Sequence, residues 1–401
     1  MTSRMVGWVA AALMGFGFSG CNGGDGAAGV TDETADTTEL AQSQSEALTI
    51  DIGRHAIGYD FYPSMHVPHG VSGDEQFVFV TQPLEGRVAV VNRITGQELA
   101  TLPAPPAGWQ LPFSLRVPRT GRLVVLDAGG FPNPAIPSIA RIYEFDYQRN
   151  RRTRAFEATL VRTISFEGLP LIFAEDFEVT PSGGYVVSES VIGALWNVAA
   201  DGTISPGLLP DFATGTMIPA LAPCGFTPVT IGGIPFSTAG NFAPGVGSMA
   251  IRDGQLYFGS TCRGGVARVP LASLTDLTRS PIARAADIVD VSPRAAGTVS
   301  ESLKGFAFNR WDPSDRHLYV TDTLGRRVLR VNTTTGARQV VVDDPTLFDF
   351  PVSAQFLPPV AGLTPLVVVA SDQEYRLAAL NALITTDLLH PPFIVSKVYV
   401  H

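Results

Sequence analysis

The chain has 401 residues, of which 45% are hydrophobic and only 16% charged, with 40 Gly and 31 Pro. Charge this sparse requires extensive burial, and glycine and proline this frequent exclude an architecture of long helices in favour of many turns. The formal net charge of −9 argues against nucleic acid or anionic lipid as a partner, since either needs a concentrated Lys/Arg face.

The N-terminus reads as an address. Arg4 supplies a positive n-region, Met5 to Phe18 an apolar h-region, and Phe18-Ser19-Gly20-Cys21 ends in small residues before a cysteine. This resembles the lipobox of bacterial lipoproteins, in which signal peptidase cuts before the cysteine and its sulfur is lipidated. Residues 1–20 are therefore expected to be a signal peptide and Cys21 the lipidated residue that holds the protein to a membrane. The apolar run is short for a transmembrane span. Asn22 stands where an Asp would favour inner-membrane retention, so the expected location is the bacterial cell envelope, at the outer membrane. Residues 21–48, rich in Gly, Ala, Thr, Glu, Asp, Ser and Gln, cannot offset the entropy of ordering and form a tether.

Residues 49–401 make one domain. The stretch Gly305 to Asp344 holds four short β-like runs, Phe306–Phe308, His317–Val320, Arg327–Val331 and Arg338–Val342, separated by turn residues at Asp312–Asp315, Thr323–Gly325 and Thr333–Gly336. Such a four-stranded meander is apolar on both faces and needs copies of itself on either side. In chain order the copies are Gly70–Leu102 (FVFVTQ, GRVAVVN, ITGQELATL), Ser114–Phe166 (SLRV, GRLVVLD, ARIYEFD, TLVRTISF), Asp176–Leu209 (DFEV, GGYVVSE, ALWNVAADG), Ser248–Val291 (SMAI, GQLYFGS, GGVARVP), the stretch itself, and a sixth from Ser353 (SAQF, PLVVVASD, YRLAALN, PFIVSKVYV). Pro- and Gly-rich inserts lengthen the middle copies, notably Pro210–Gly247. The fold class is all-β, a six-bladed β-propeller of four-stranded antiparallel blades. Leu48–Ile52 (LTIDI) and the C-terminal PFIVSKVYV are expected to share the sheet that closes the ring. Arg149-Asn150-Arg151-Arg152-Thr153-Arg154, the one basic cluster, reads as a solvated tip between two strands.

Export past the cytoplasm allows Cys224 and Cys262 to form a disulfide; the alternative is two buried thiols. With no CxxC and no neighbouring His, neither reads as a metal or redox site.

Aligning the blades puts His69, Phe113, Glu175, Gly247, Lys304 and Val352 at one register, the start of each innermost strand, around one mouth of the axial channel. An imidazole, a carboxylate and an ammonium would converge there, the usual form of a ligand site; solvated rim residues, or a closing Lys304–Glu175 ion pair, are the alternatives. Asp127, Glu189, Asp322 and Asp372 recur after the second run of their blades and read as turn carboxylates that accept backbone N–H groups. Trp109, Trp196 and Trp311 read as packing between blades. No phosphate loop, GxSxG elbow or HExxH is present.

The phrase GFAFNRWDPSDRHLYVTDTLGRRVLRVN resembles six-bladed propellers of the senescence-marker-protein/gluconolactonase family and the NHL-repeat proteins. The resemblance implies a divalent cation, Ca²⁺ or Mg²⁺, at the axial mouth, held by hard oxygen ligands that polarise a lactone carbonyl. Glu175 and Asp176 match the ligand positions. Lys304-Gly305 stands where the family has Asn-Gly, and Gly247 occupies the corresponding place in the fourth blade, with Asn241 the nearest amide. His66 and His69 are candidate imidazole ligands of the kind seen in NHL-type lyases. Two functional readings follow. One is an envelope-anchored monomer that binds a small molecule or protein at its axial mouth through His69, Phe113, Glu175, Asp176 and Lys304. The other is a metal-dependent lactonase or hydrolase with Glu175 and Asp176 on the metal, His69 as general base and Lys304 stabilising an oxyanion.

Overall fold

The computed structural model describes residues 57–58, 67–131, 139–223, 227–238, 244–261, 263–293, 301–360, 362 and 364–400. The signal peptide, Cys21, Leu48–Ile52, His66, Cys224, Asn241 and Cys262 lie outside the described residues.

Six four-stranded antiparallel sheets follow one another in chain order, each with its strands in sequence order from axis to rim, apart from the last. The innermost strands are Val71–Gly73, Pro112–Arg119, Ala174–Val179, Val246–Arg252, Leu303–Phe308 and Ser353–Phe356, within a few residues of the starts expected from the repeat. The second strands, such as Phe77–Gln82, Tyr185–Glu189 and Thr364–Ser371, are buried along nearly their whole length. Their apolar residues are therefore continuous rather than alternating, because a neighbouring blade covers each face. Outer strands meet water on one face, and Phe156–Ser165 in blade 2 shows the alternation that this demands.

Hydrophobic clusters occupy the seams. Phe77 and Phe79 of blade 1 pack with Leu123, Tyr143 and Tyr147 of blade 2, and Tyr319 of blade 5 packs with Phe356 and Val368 of blade 6. The repeat also shows in its turns. Asn92 Oδ1 accepts from Ile94 and Thr95 N–H, and Asn332 Oδ1 from Thr334 and Thr335 N–H. Each turn closes on a left-handed glycine, Gly96 and Gly336, so N-R-I-T-G and N-T-T-T-G spell the same outer hairpin.

Blade 6 differs from its sequence reading. YRLAALN is not a strand: Glu374–Arg376 is a 3₁₀ turn, and Tyr375 is buried with its hydroxyl donating to Asp349 at 2.8 Å. The third strand is Ile394–Val400, and the fourth is Ile57–Gly58, with Ile57 opposite Val398 and Gly58 opposite Lys397. The two ends of the domain thus close the ring in one sheet, through a segment several residues after Leu48–Ile52. Apolar composition misled at YRLAALN because its side chains fill an insert rather than a seam.

The insert between blades 3 and 4 carries a small hairpin, Val229–Ile231 and Ile234–Phe236. Ile231 and Phe236 bury themselves against Phe350, Val352 and Tyr375 of blade 6, and Asn381 binds the hairpin backbone through Pro235 O. This insert covers the end of the ring at which the innermost strands begin.

An axial charge cluster as the candidate functional site

A β-bulge interrupts the innermost strand at equivalent places in blades 3, 4 and 5, between Ala174 and Phe177, Val246 and Met249, and Lys304 and Ala307. A bulge re-aims the residues beside it, and here it turns Glu175 and Lys304 towards the axis. Gly305 makes the bulge of blade 5 possible. Its φ is +55°, and a Cβ there would stand 2.9 Å from Thr321 Oγ1 and 3.0 Å from Ala354 N. Gly247 leaves the space that Glu175 uses, since a Cβ would lie 2.7 Å from Glu175 Oε1.

The register expected at the mouth is present. His69, Phe113, Glu175, Lys304 and Val352 line one small cavity, and Gly247 abuts it. Lys304 Nζ lies 3.3 Å from Glu175 Oε1 and 3.2 Å from Glu374 Oε2. His69 Nδ1 lies 2.9 Å from Asp372 Oδ2 and 3.0 Å from Glu374 Oε1, with its ring 3.7 Å from that of Phe113. Glu374 therefore bridges the two cations. These side chains are buried or nearly so, and the cavity lined by His69, Phe113, Glu175, Asp176 and Lys304 has about 20 Å³ of free space, room for roughly one water.

Sequence reasoning missed Glu374 and gave Asp372 only a turn role. The turn role is real for its relatives: Asp127 accepts from Gln110, Leu111 and Gly129 N–H, Glu189 from Ile172, Phe173 and Ile192 N–H, and Asp322 from Ser302 and Gly325 N–H. Asp372 accepts a turn N–H as well, from Glu374 at 2.8 Å, but its other oxygen faces His69. The signal was ring closure, which sets the second-to-third turn of blade 6 beside the start of blade 1.

Electrostatics make the cluster self-neutralising. Burial alone would discharge His69, yet Glu374 and Asp372 raise it to about 9. Burial likewise works against the Lys304 ammonium, and Glu374, Glu175 and Asp372 outweigh it to hold the amine charged above its ordinary range. Burial would raise Glu374, but Lys304 and His69 hold it down to about 2. Asp372 is pushed up to about 7 by burial and by Glu374 beside it. Burial also raises Glu175, against the pull of Lys304 and of the neighbouring Ser190 hydroxyl, and among the described residues Glu175 Oε2 makes no hydrogen bond of normal geometry.

Asp176 lines the same cavity but takes no part in the ion pairs of this cluster. Both its oxygens are 2.9 Å from Arg116 Nη2, Oδ1 also accepts from the Ser114 hydroxyl, and Oδ2 accepts from Met249 N–H at 3.1 Å. Arg116 Nε reaches Glu178 at 2.6 Å, so this second network ties blades 2, 3 and 4, and Ser114, Arg116 and Asp176 form part of the cavity wall. A cation shared by Glu175 and Asp176 would have to displace Arg116. Three other ligand atoms, from His69, Asp372 and Glu374, lie within 4.8 Å of one another; there the Lys304 ammonium already sits against Glu374, and a divalent ion would meet its full repulsion. Trp109 stacks edge-on against Tyr143, and Trp196 is buried in the seam of blades 2 and 3. Trp311 is 40% exposed under the Arg310 guanidinium and packs no seam.

The fold and site define an all-β, six-bladed propeller with a buried ionic cluster at one mouth. No family model and no curated protein matches the chain. Among solved structures it is similar to regucalcin, a calcium-binding protein from Agrobacterium tumefaciens (15% identity, 86% of this chain and 94% of that one, TM-score 0.48). It is also similar to a luciferin-regenerating enzyme (12%, 86% and 95%, 0.49) and to virginiamycin B lyase from Staphylococcus aureus (12%, 77% and 80%, 0.41). At these identities and scores the likenesses say nothing of ligand or activity.

Proposed function

We propose that the protein is an envelope-anchored binding module, tethered through lipidated Cys21, in which the axial cluster joins the blades and performs no chemistry. The observation that carries this reading is the double pairing of Lys304 with Glu175 and Glu374, beside a cavity with about 20 Å³ of free space. The groups that a hydrolase would direct at a substrate are spent on one another, and no substrate-sized volume remains between them. Partners then meet the rim of the mouth, where Leu84, Met217, Leu383 and Leu388 are exposed on the turns and inserts. The test is a panel of lactones assayed with and without Ca²⁺ or Zn²⁺, together with metal analysis of the purified protein. No stoichiometric metal and no turnover are expected. Metal-dependent turnover that Glu175→Gln abolishes would overturn the reading.

The second reading, a metal-dependent lactonase or hydrolase, is favoured by one observation, the buried and unpartnered Glu175 Oε2. An orphaned buried oxygen asks for a donor or an ion. His69, Asp372, Glu374 and Glu175 would then hold the metal, and Lys304 would have to move aside. The same assays separate the two readings.

A further inference from the structure

We propose that the end of the ring opposite the axial mouth is a docking face for an anionic lipid bilayer. The claim shares with the reading above only the expectation that a membrane is near.

Strand direction sorts the turns. Because innermost strands begin at the mouth and every neighbour is antiparallel, the first-to-second turn of each blade and the third-to-fourth turn of every blade but the last lie at the far end. The basic tip of blade 2 is one of them, between Arg149 and its cross-strand partner Phe156. The first-to-second turn of the same blade stands beside it, with Tyr147 N–H bound to Gly121 O at 2.9 Å, and adds exposed Arg119. Arg151, Arg152 and Arg154 are exposed. Among the described residues, none of these arginines is within ion-pair distance of a carboxylate. Of the nearby carboxylates, Glu157 is occupied by the Asn150 and Gln148 amides, at 2.6 and 3.0 Å, and exposed Glu75 by the Thr120 hydroxyl, at 2.7 Å. Net charge of the whole chain hides this face, because the fold gathers arginines that the average dilutes.

Two further observations point to a bilayer rather than to any polyanion. The tips of other turns at this end are apolar: Ile94 in blade 1 and Leu277 in blade 4 are 70% and 71% exposed, and Trp311 in blade 5 lies under Arg310 at 4.9 Å. An aromatic–cation pair flanked by aliphatic tips suits the headgroup boundary. The chain also joins the ring at this end. Ile57 pairs with Val398 near the far end of its strand, so the segment that carries Cys21 attaches on the side of the arginines. Docked this way, the axial mouth faces away from the lipid.

The experiment uses the full chain with vesicles of phosphatidylcholine, alone or mixed with phosphatidylglycerol. Hydrogen exchange is followed at 150–155 and 309–316, with quenching of Trp311 by brominated lipid. Protection of both turns is expected only with phosphatidylglycerol. An arginine at an anionic surface strengthens partition roughly fivefold, so R151E/R152E is expected to weaken it more than about twentyfold while the unfolding temperature stays unchanged. Protection equal on both lipids, no protection in a chain that co-sediments with the vesicles, or binding to single-stranded RNA in place of vesicles would each overturn the proposal. Acylation of Cys21 is scored separately, by the mass of the N-terminal peptide. Its absence would refute the anchor and leave the exchange measurement able to decide the docking face.

Discussion

Replacing Lys304 by methionine keeps most of the length of the side chain and removes its charge. At 3.2 and 3.3 Å from two carboxylates, and with an effective dielectric near 20, each pair is worth about 5 kcal/mol. Against this stands the desolvation of an ammonium buried in the ring, several kcal/mol. The net loss expected for Lys304→Met is about 3–5 kcal/mol, the range for leaving buried charge unpaired. Glu175 then faces Glu374 with no cation of its own, since the remaining His69 imidazolium lies against Glu374, and the native state takes up a proton that the unfolded state does not hold at neutral pH. Stability of the variant therefore falls as pH rises, and its gap from the parent widens from pH 5 to pH 8. Urea unfolding at both pH values measures the gap, and Lys304→Met/Glu175→Gln is expected to recover part of it at pH 8. A gap under about 1 kcal/mol at pH 8, set against the 3–5 expected, or one that Glu175→Gln leaves unchanged, would refute the account of the cluster as a mutually neutralised network.

Three further outcomes follow from the same contacts. His69, raised to about 9 in the fold from an unfolded value near 6.5, contributes stability that is fully present below pH 6.5 and lost as pH rises through 9. His69→Gln is thus expected to cost up to about 3 kcal/mol at pH 6 and little at pH 10, measured by urea unfolding. Gly247→Ala sets a methyl 2.7 Å from Glu175 Oε1 and 3.0 Å from Thr261 Oγ1, and is expected to cost about 1–3 kcal/mol, with part of the loss relieved by Glu175→Ala. Arg116→Met strands Asp176 and Glu178 between blades and is expected to cost about 3–5 kcal/mol. Because burial already lifts Glu178 to about 7, its titration followed by NMR is expected to move higher still.

Much of the axial ring was legible in the repeat. Once Gly70, Ser114, Asp176, Ser248, Gly305 and Ser353 were aligned as blade starts, the residues just before them fell on one circle, and five of the six line the cavity. Asp372 and Glu374 were hidden by their place in the repeat, beyond a second strand, where Asp127 and Glu189 hold backbone and Asp322 holds backbone and the neighbouring Arg327. Only the three-dimensional meeting of blade 6 with blade 1 tells Asp372 from its relatives. YRLAALN failed for a related reason: its apolar residues are buried as a strand's would be, but by an insert and a hairpin from the far side of the ring.

Local sequence, through β-runs of fixed length, turn residues such as Asn92 and Gly96, and continuous apolar second strands, determined the blade, its number and its order. Those are short-range matters of backbone conformation and of which faces must leave water. Which charges neutralise one another, which carboxylate leaves its turn for an imidazole, and which end of the ring gathers unpaired arginines were decided only by closure, because His69 and Asp372 stand 303 positions apart along the chain and 2.9 Å apart in space.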